Sequence, residues 1–305
     1  MDRQYILHMF TPGKQMSPFD INMAVDAGYQ VVVPYCEVAG AQIRGLTQDA
    51  IFSRGPKGVK ATAIFIGGRD VLLAADMLDT AREAMVPPFQ VSVMADPSGS
   101  YTTAAALVAC VEQQLLRVHG TDLAGKRVLI LGGAGTVGRI AGVLVAGLGA
   151  QVALGHHREL AIAEEAARAT GTRFDCALQG VDTISPAARR AALAGADVVL
   201  ATAAAGVQVV SAEDRASATR LLVAADVNAV PPEGIAGVGV MDDGKALPEG
   251  RAVGIGALAV GNVKYQVEHR LLAAMRGADK PLYLGFREAF AMAREVVAEK
   301  SAATA

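Results

Sequence analysis

Three glycines carry the clearest chemistry in this chain. They stand in Gly133-Ala134-Gly135-Thr136-Val137-Gly138, close behind the apolar run Val128-Leu129-Ile130-Leu131. Gly133 permits a tight turn out of a strand, Gly135 lets the backbone approach a pyrophosphate with no Cβ in the way, and Gly138 lets the next helix pack close. The pyrophosphate would sit on the helix N-terminus at Thr136 and Val137, where N–H groups and the helix dipole favour negative charge. A second strand-like run, Gln151 to Leu154, follows about 20 residues after the loop begins. The glycines alone would support only a turn. Strand, loop, helix and second strand together point to a bound dinucleotide.

The end of that second strand selects the nucleotide. An acid there would read the ribose 2′-hydroxyl of NAD, whereas basic residues accept the 2′-phosphate of NADP. The chain has Gly155-His156-His157-Arg158 and no acid before Glu159. Arg158, with His156 or His157, can pair with a 2′-phosphate; equally, Arg158 can simply cover a solvated helix start. NADP is therefore an expected cofactor, and NAD stays open. Three later segments follow strand ends and are rich in small residues: Thr202 to Gly206 with Ala203 and Ala204, Asp226 to Pro232 with Asn228, and Gly254 to Ala257 with Gly256. Each either comes close to ribose or nicotinamide or is ordinary loop chemistry.

The elements that must position these residues read as alternating strands and helices. Strands are expected at Ile6 to Phe10, Val31 to Tyr35, Thr62 to Ile66, Val91 to Ala95, Val128 to Leu131, Gln151 to Leu154, Asp197 to Ala201 and Leu221 to Ala225. Helices are expected at Phe19 to Ala27, Val71 to Met85, Tyr101 to His119, Gly138 to Leu148, Leu160 to Thr170 and Phe286 to Lys300, with a helical turn at Arg189 to Leu193 and a long helix ending near Arg276. Such alternation gives parallel pairing through right-handed crossovers. With 305 residues, 52% hydrophobic, 33 glycines and 5% aromatic, the chain suits a two-domain α/β protein. The expected plan is an N-terminal α/β substrate domain (1–103 with 277–305) and a Rossmann NAD(P)-binding domain (121–261), joined by two long helices (104–120 and 262–276).

The bulk properties exclude other classes. A net charge of -2 gives no electrostatic reason to expect nucleic acid or an anionic membrane. No apolar run approaches the length of a membrane span, and the start is too polar for a signal peptide, so a cytoplasmic protein is expected. Cys36, Cys110 and Cys176 fit no metal or disulfide spacing and read as small buried hydrophobes, so no metal is expected. His8, His119, His156, His157 and His269 are scattered, and no general base stands out, which disfavours simple alcohol oxidation. An Ala-rich apolar chain of this kind is expected to form a homo-oligomer.

Several longer stretches are more specific than the glycine loop. They are Ile6-Leu7-His8-Met9 with Met16-Ser17-Pro18-Phe19-Asp20, Leu46 to Arg54, Ile64-Phe65-Ile66-Gly67-Gly68, Asp96-Pro97-Ser98-Gly99-Ser100, Asp226 to Pro232, and Val253 to Tyr265. In these, over nearly its whole length, the chain resembles the NAD(P)-dependent methylene-tetrahydromethanopterin dehydrogenases of methylotrophic bacteria. It is more similar to the branch that accepts both nucleotides; residues 158–193 match poorly. The resemblance implies hydride transfer from methylene-tetrahydromethanopterin to NAD(P)+, giving the methenyl product in one-carbon (formaldehyde) oxidation. Two nitrogens stabilise the resulting cation, so no proton need be removed and catalysis is largely alignment. It also implies a pterin site in a cleft between the domains and gives Lys264 the place of the family's active-site lysine. Phe19 would flank the pterin ring, Asp20, Ser98, Ser100 and Thr102 would hydrogen-bond it, and Arg54 would meet acidic or phosphate groups on its tail. A methylene-tetrahydrofolate dehydrogenase/cyclohydrolase and a non-catalytic nucleotide-sensing protein are the alternatives; the folate enzymes' Tyr-x-x-x-Lys signature is absent from the first domain.

Overall fold

A computed structural model of the protein describes residues 4–248 and 250–304. β1 (Ile6–Phe10) leads to α1 (Pro18–Asp26), whose start is fixed by the Ser17 hydroxyl accepting from the Asp20 N–H at 3.4 Å. β2 (Val31–Tyr35) follows, then a 3-10 turn, α2 (Ile43–Phe52) and the short α3 (Pro56–Val59). β3 (Thr62–Ile66) precedes α4 (Val71–Glu83), which Asp70 caps by accepting from the N–H groups of Leu72 and Leu73. β4 (Ser92–Ala95) runs through a 3-10 turn at Pro97–Gly99 into α5 (Ser100–His119). Next come β5 (Arg127–Leu131), α6 (Thr136–Gly147), β6 (Gln151–His156), α7 (Leu160–Phe174) and β7 (Gln179–Asp182). They are followed by α8 (Pro186–Gly195), β8 (Val198–Ala201), α9 (Ala212–Ala216) and β9 (Val223–Asp226). The chain ends with β10 (Asp243–Ala246), β11 (Val253–Ile255), α10 (Ala257–Gly277), β12 (Tyr283–Leu284) and α11 (Phe286–Thr304).

The chain divides into two compact units, Met1–Thr102 with Tyr265–Met292, and Thr103–Lys264 with Ala293–Ala305. The division falls inside α5, α10 and α11. The first unit holds a five-stranded parallel sheet in the order β12-β4-β3-β1-β2. Its central strands β3 and β4 are buried at every residue, so they read as continuous apolar runs rather than alternating ones. Each fully buried Leu7, Ile64 or Phe65 contributes about 1.5–3 kcal/mol.

The second unit holds a seven-stranded sheet in the order β10-β11-β9-β8-β5-β6-β7, parallel except where β10 meets β11. Strand order reverses beside β5: β6 and β7 lie on one side, β8, β9 and β11 on the other. One face is filled by Leu129, Leu131, Leu193, Val199, Leu221 and Ile235.

Several elements exceed what periodicity predicts. Arg189 to Leu193 is the middle of a full helix, because Ser185 caps α8 by accepting from the Ala188 N–H at 3.1 Å and Pro186 fits its first turn. β7 and β10 are polar edge strands with little apolar patterning, formed by pairing with a neighbour. Residues from Ala293 onward group with the second unit, whereas the sequence assigned all of 277–305 to the first. On that part of α11 Ala293, Val296 and Val297 are buried, Arg294 pairs with Glu112, and Lys300 reaches Asp243 at 2.7 Å. Of the three cysteines only Cys110 is buried; Cys36 is exposed and Cys176 half-buried, which corrects the reading of all three as core residues. Burial pushes the Cys110 thiol up to about 12.

Candidate functional site

Parallel strands bring five loops to one end of the second sheet. The register sets Leu131 beside Gly155 and Ala201, Ala201 beside Asp226, and Ala225 beside Ile255. The segments that follow β5, β6, β8, β9 and β11 therefore share the carboxyl edge, at the point where strand order reverses. That crevice is where open α/β sheets bind ligands.

The glycine loop at the end of β5 is built by contact. Gly132 has φ 76°, and a Cβ on it would stand 2.6 Å from the Ala203 nitrogen. This residue, not Gly133, makes the left-handed turn that the sequence reading gave to the first glycine of the motif. The signal was the Gly132-Gly133 doublet. Gly133 instead lies against β6, where a Cβ would be 2.9 Å from that of Leu154. Gly138 lies on Gly133: a Cβ would be 2.7 Å from the Gly133 Cα and equally near the Thr202 hydroxyl oxygen. Gly135 is the N-cap of α6 with ordinary φ -74° and ψ 171°, and no side chain caps the helix there. First-turn amides of a helix, here at Thr136 and Val137, have no acceptor within it. The loop is thus a cradle of backbone packed through its glycines against its own chain, and the uncapped start of α6 fits a dinucleotide pyrophosphate.

At the end of β6, His156 turns inward on its own loop. Its Nδ1 accepts from the N–H groups of Arg158 and Glu159, both at 3.3 Å. The His157 ring lies 4.7 Å from that of His156, centroid to centroid, and His157 and Arg158 are exposed. Partial burial, then the nearby His156 and Arg158, hold the His157 imidazole below its usual range.

The later loops divide. Ala203 and Ala204 lie beside the glycine loop, since Thr202 donates to the Leu131 carbonyl at 2.8 Å. Asn228 spends its side chain on the loop: Oδ1 accepts from Gly206 at 3.0 Å and Val230 at 2.9 Å, and Nδ2 donates to Pro232 at 2.8 Å. Asp226, buried behind it, accepts from the amides of Asn228, Gly234 and Ile235. Burial raises its carboxyl against the pull of those three amides. A Cβ on Gly256 would fall on the Gly239 carbonyl, so its close approach is to its own chain; Ala257 begins α10 directly after it.

In the first unit the residues expected around the pterin cluster at the carboxyl edge of its sheet. Ser98 is exposed, at φ 52°, and its hydroxyl donates to the Gly68 carbonyl at 2.7 Å. Gly67 and Gly68 in turn lie against Met16 and Pro12 of the loop that leads into α1. On α1, Phe19 is 46% exposed, whereas Asp20 is buried. Ser100 and Thr102 do not face outward as expected. Both are buried; the Ser100 hydroxyl donates to Pro97, and the Thr102 hydroxyl donates to Asp96 at 2.6 Å. The Asp96 carboxylate organises this turn, accepting from the Tyr101 and Thr102 amides as well, a role that its place in the motif does not reveal. Arg54 is likewise committed, donating to the carbonyls of Gln4 and Ala61 and the Thr62 hydroxyl. Lys264 is half-buried in the third turn of α10; Glu268, one turn on and not singled out from sequence, is fully buried. Among the described residues no cluster of three His, Cys, Asp or Glu is placed to hold a metal, and no helix is long and apolar enough to cross a membrane.

Comparison with known proteins adds to this geometry. Residues 18–98 match the family model described as methylene-tetrahydromethanopterin dehydrogenase, N-terminal. The chain is 51% identical over 292 residues to the NAD(P)-dependent methylenetetrahydromethanopterin dehydrogenase of Methylorubrum extorquens, covering 95% of this chain and 98% of that one. It is 31% identical over 291 residues to the bifunctional protein MdtA of the same organism, covering 95% and 98%. Among solved structures, quinate dehydrogenase from Corynebacterium glutamicum in complex with NAD aligns with a TM-score of 0.52 at 12% identity, covering 95% of this chain and 99% of that one. That last likeness concerns the fold alone.

Proposed function

The chain belongs to the NAD(P)-dependent methylenetetrahydromethanopterin dehydrogenases, and we propose a division of the reaction between its named residues. The protein is an oxidoreductase that takes a hydride from methylene-tetrahydromethanopterin. Its cofactor, NAD or NADP, supplies the hydride acceptor when bound. Gly132, Gly133, Gly135 and Gly138 shape the backbone so that the amides of Thr136 and Val137 hold the pyrophosphate. Arg158, exposed beside His156 and His157, meets the 2′-phosphate of NADP. Ala203 and Ala204 let the chain lie close to the cofactor, while Asn228 and Gly256 act by holding their loops.

On the substrate side, Phe19 and Ser98 offer an apolar face and a hydroxyl at one edge of the first sheet. Ser100 and Thr102 act from behind, by fixing the turn that carries Ser98. Lys264 orients the pterin and shapes the field around the one-carbon unit; a bridging carbon flanked by two nitrogens needs alignment more than a base. The protein works in the cytoplasm as a homo-oligomer, on the strength of its composition.

The observation that carries the proposal is the cradle at Gly132–Gly138, whose glycines pack against their own chain and end in a helix start with no side-chain cap. The experiment is Lys264→Ala with methylene-tetrahydromethanopterin as substrate. We expect kcat to fall at least about tenfold, with the Kd of NADP alone within about twofold of wild type. Unchanged turnover, or parallel loss of nucleotide binding, would remove Lys264 from the reaction.

A further inference from the structure

Two successive histidines end β6, and the structure gives them different tasks. His156 is tied: its Nδ1 accepts two backbone amides of the following turn, at 3.3 Å each. A nitrogen that accepts from those amides carries no proton to offer a ligand. His157 has no such tie. Among the described residues it makes no hydrogen bond, and its ring lies exposed beside the His156 ring and Arg158.

We propose that His157 sets nucleotide choice: when protonated it joins Arg158 as a second cation against a 2′-phosphate and favours NADP, and when neutral it leaves NAD and NADP more nearly matched. This rests on the reading of Arg158 as the 2′-phosphate partner. It extends that reading from a fixed charge to one that changes with pH.

The groups around His157 decide the sign. From β6 comes His156, whose Nδ1 faces the two amides of its turn. The turn itself supplies Arg158 and Glu159, the latter serving as the N-cap of α7. From β7 comes Asp182, the register partner of His156, whose carboxylate accepts from the Ile184 N–H at 2.9 Å. Slight desolvation, then the neighbouring His156 and Arg158, lower the His157 imidazole from its usual range. A phosphate dianion beside it favours the charged form. Binding of NADP, unlike binding of NAD, therefore takes up a proton, and NADP affinity relative to NAD rises as pH falls from 8 toward 6. Below about pH 6 the phosphate gains its own proton and the trend reverses.

The test is calorimetric titration of the full chain with NAD and with NADP at pH 8, 7 and 6, in wild type, His157→Asn, His156→Asn and Arg158→Ala. NAD is the control for everything but the phosphate. In wild type the ratio of the NAD Kd to the NADP Kd should rise about three- to fivefold between pH 8 and 6, the effect of one added charge at a few ångströms in a largely aqueous setting. His157→Asn should abolish that rise, leaving only the phosphate's own titration. Arg158→Ala should weaken NADP about tenfold at every pH and leave NAD unchanged. A rise that survives in His157→Asn, or that disappears only in His156→Asn, overturns the proposal while the Arg158 reading stands. Arg158→Ala with wild-type NADP affinity overturns the 2′-phosphate reading itself.

Discussion

Two strand-to-helix turns in this molecule solve one physical problem in opposite ways. At the end of β4 the chain turns into α5, and at the end of β5 it turns into α6; both helices begin with amides that need an acceptor. The first turn supplies its own anion. Asp96, fully buried, accepts from the N–H groups of Tyr101 at 2.8 Å and Thr102 at 3.2 Å and from the Thr102 hydroxyl. The second turn supplies none: Gly135 has no side chain to cap α6. A helix start closed by an internal carboxylate is a fixed support, here for the exposed Ser98. A helix start left to backbone alone is a place for an external anion.

The comparison can be broken at three points. The largest effect belongs to Gly138→Val, which pushes side-chain atoms into Gly133 and Thr202. Overpacking of about 1–3 kcal/mol, focused on the cradle, should weaken NAD and NADP alike by roughly 10- to 100-fold in direct titration. Wild-type affinity would mean the cradle does not hold the cofactor. Next comes Asp96→Ala, which strands two amides and a buried hydroxyl. A loss of about 2–3 kcal/mol in denaturant unfolding is expected, with nucleotide Kd within about twofold of wild type. A change in Kd without a change in stability would reverse the roles of the two turns. The smallest effect is from Gly135→Asp, which gives α6 the kind of cap that α5 owns. It should stabilise the unliganded protein by about 0.5 kcal/mol and weaken both nucleotides about tenfold, because the new carboxylate competes with the pyrophosphate. The Gly132 carbonyl, 3.1 Å from the new Cβ, must yield slightly, so equal loss of stability and affinity would indicate strain and no competition.

Much of the α/β plan was legible because its signals are local. β1, β2 and β3 fall where apolar runs and turn residues set them, and the expected starts of α4 and α7 agree with the structure. The place of the glycine loop was legible for the same reason, although α6 begins at Thr136, two residues before the expected Gly138. The missed elements have local sequences that say little: β10, Asp243–Ala246, is polar and gains strand geometry only by pairing with β11. Within the site, Lys264, Phe19 and Arg158 were named from resemblance or charge, whereas Gly132 and Asp96 were passed over. Nothing in a Gly-Gly pair says which residue takes positive φ until the Ala203 backbone is packed against one of them.

Spacing within a few residues sets the strongly apolar strands and helices, the place of the dinucleotide loop and the lack of an acid at the end of β6. Which polar groups remain available depends on segments that folding brings together. Ser98 reaches Gly68 across 30 residues and Asn228 holds Gly206 across 22, while Thr102 is consumed by Asp96 and His156 by its own turn. A hydrogen-bonding group has few sites to offer, and once a neighbour brought close by folding has taken them, composition and spacing no longer tell what the side chain does.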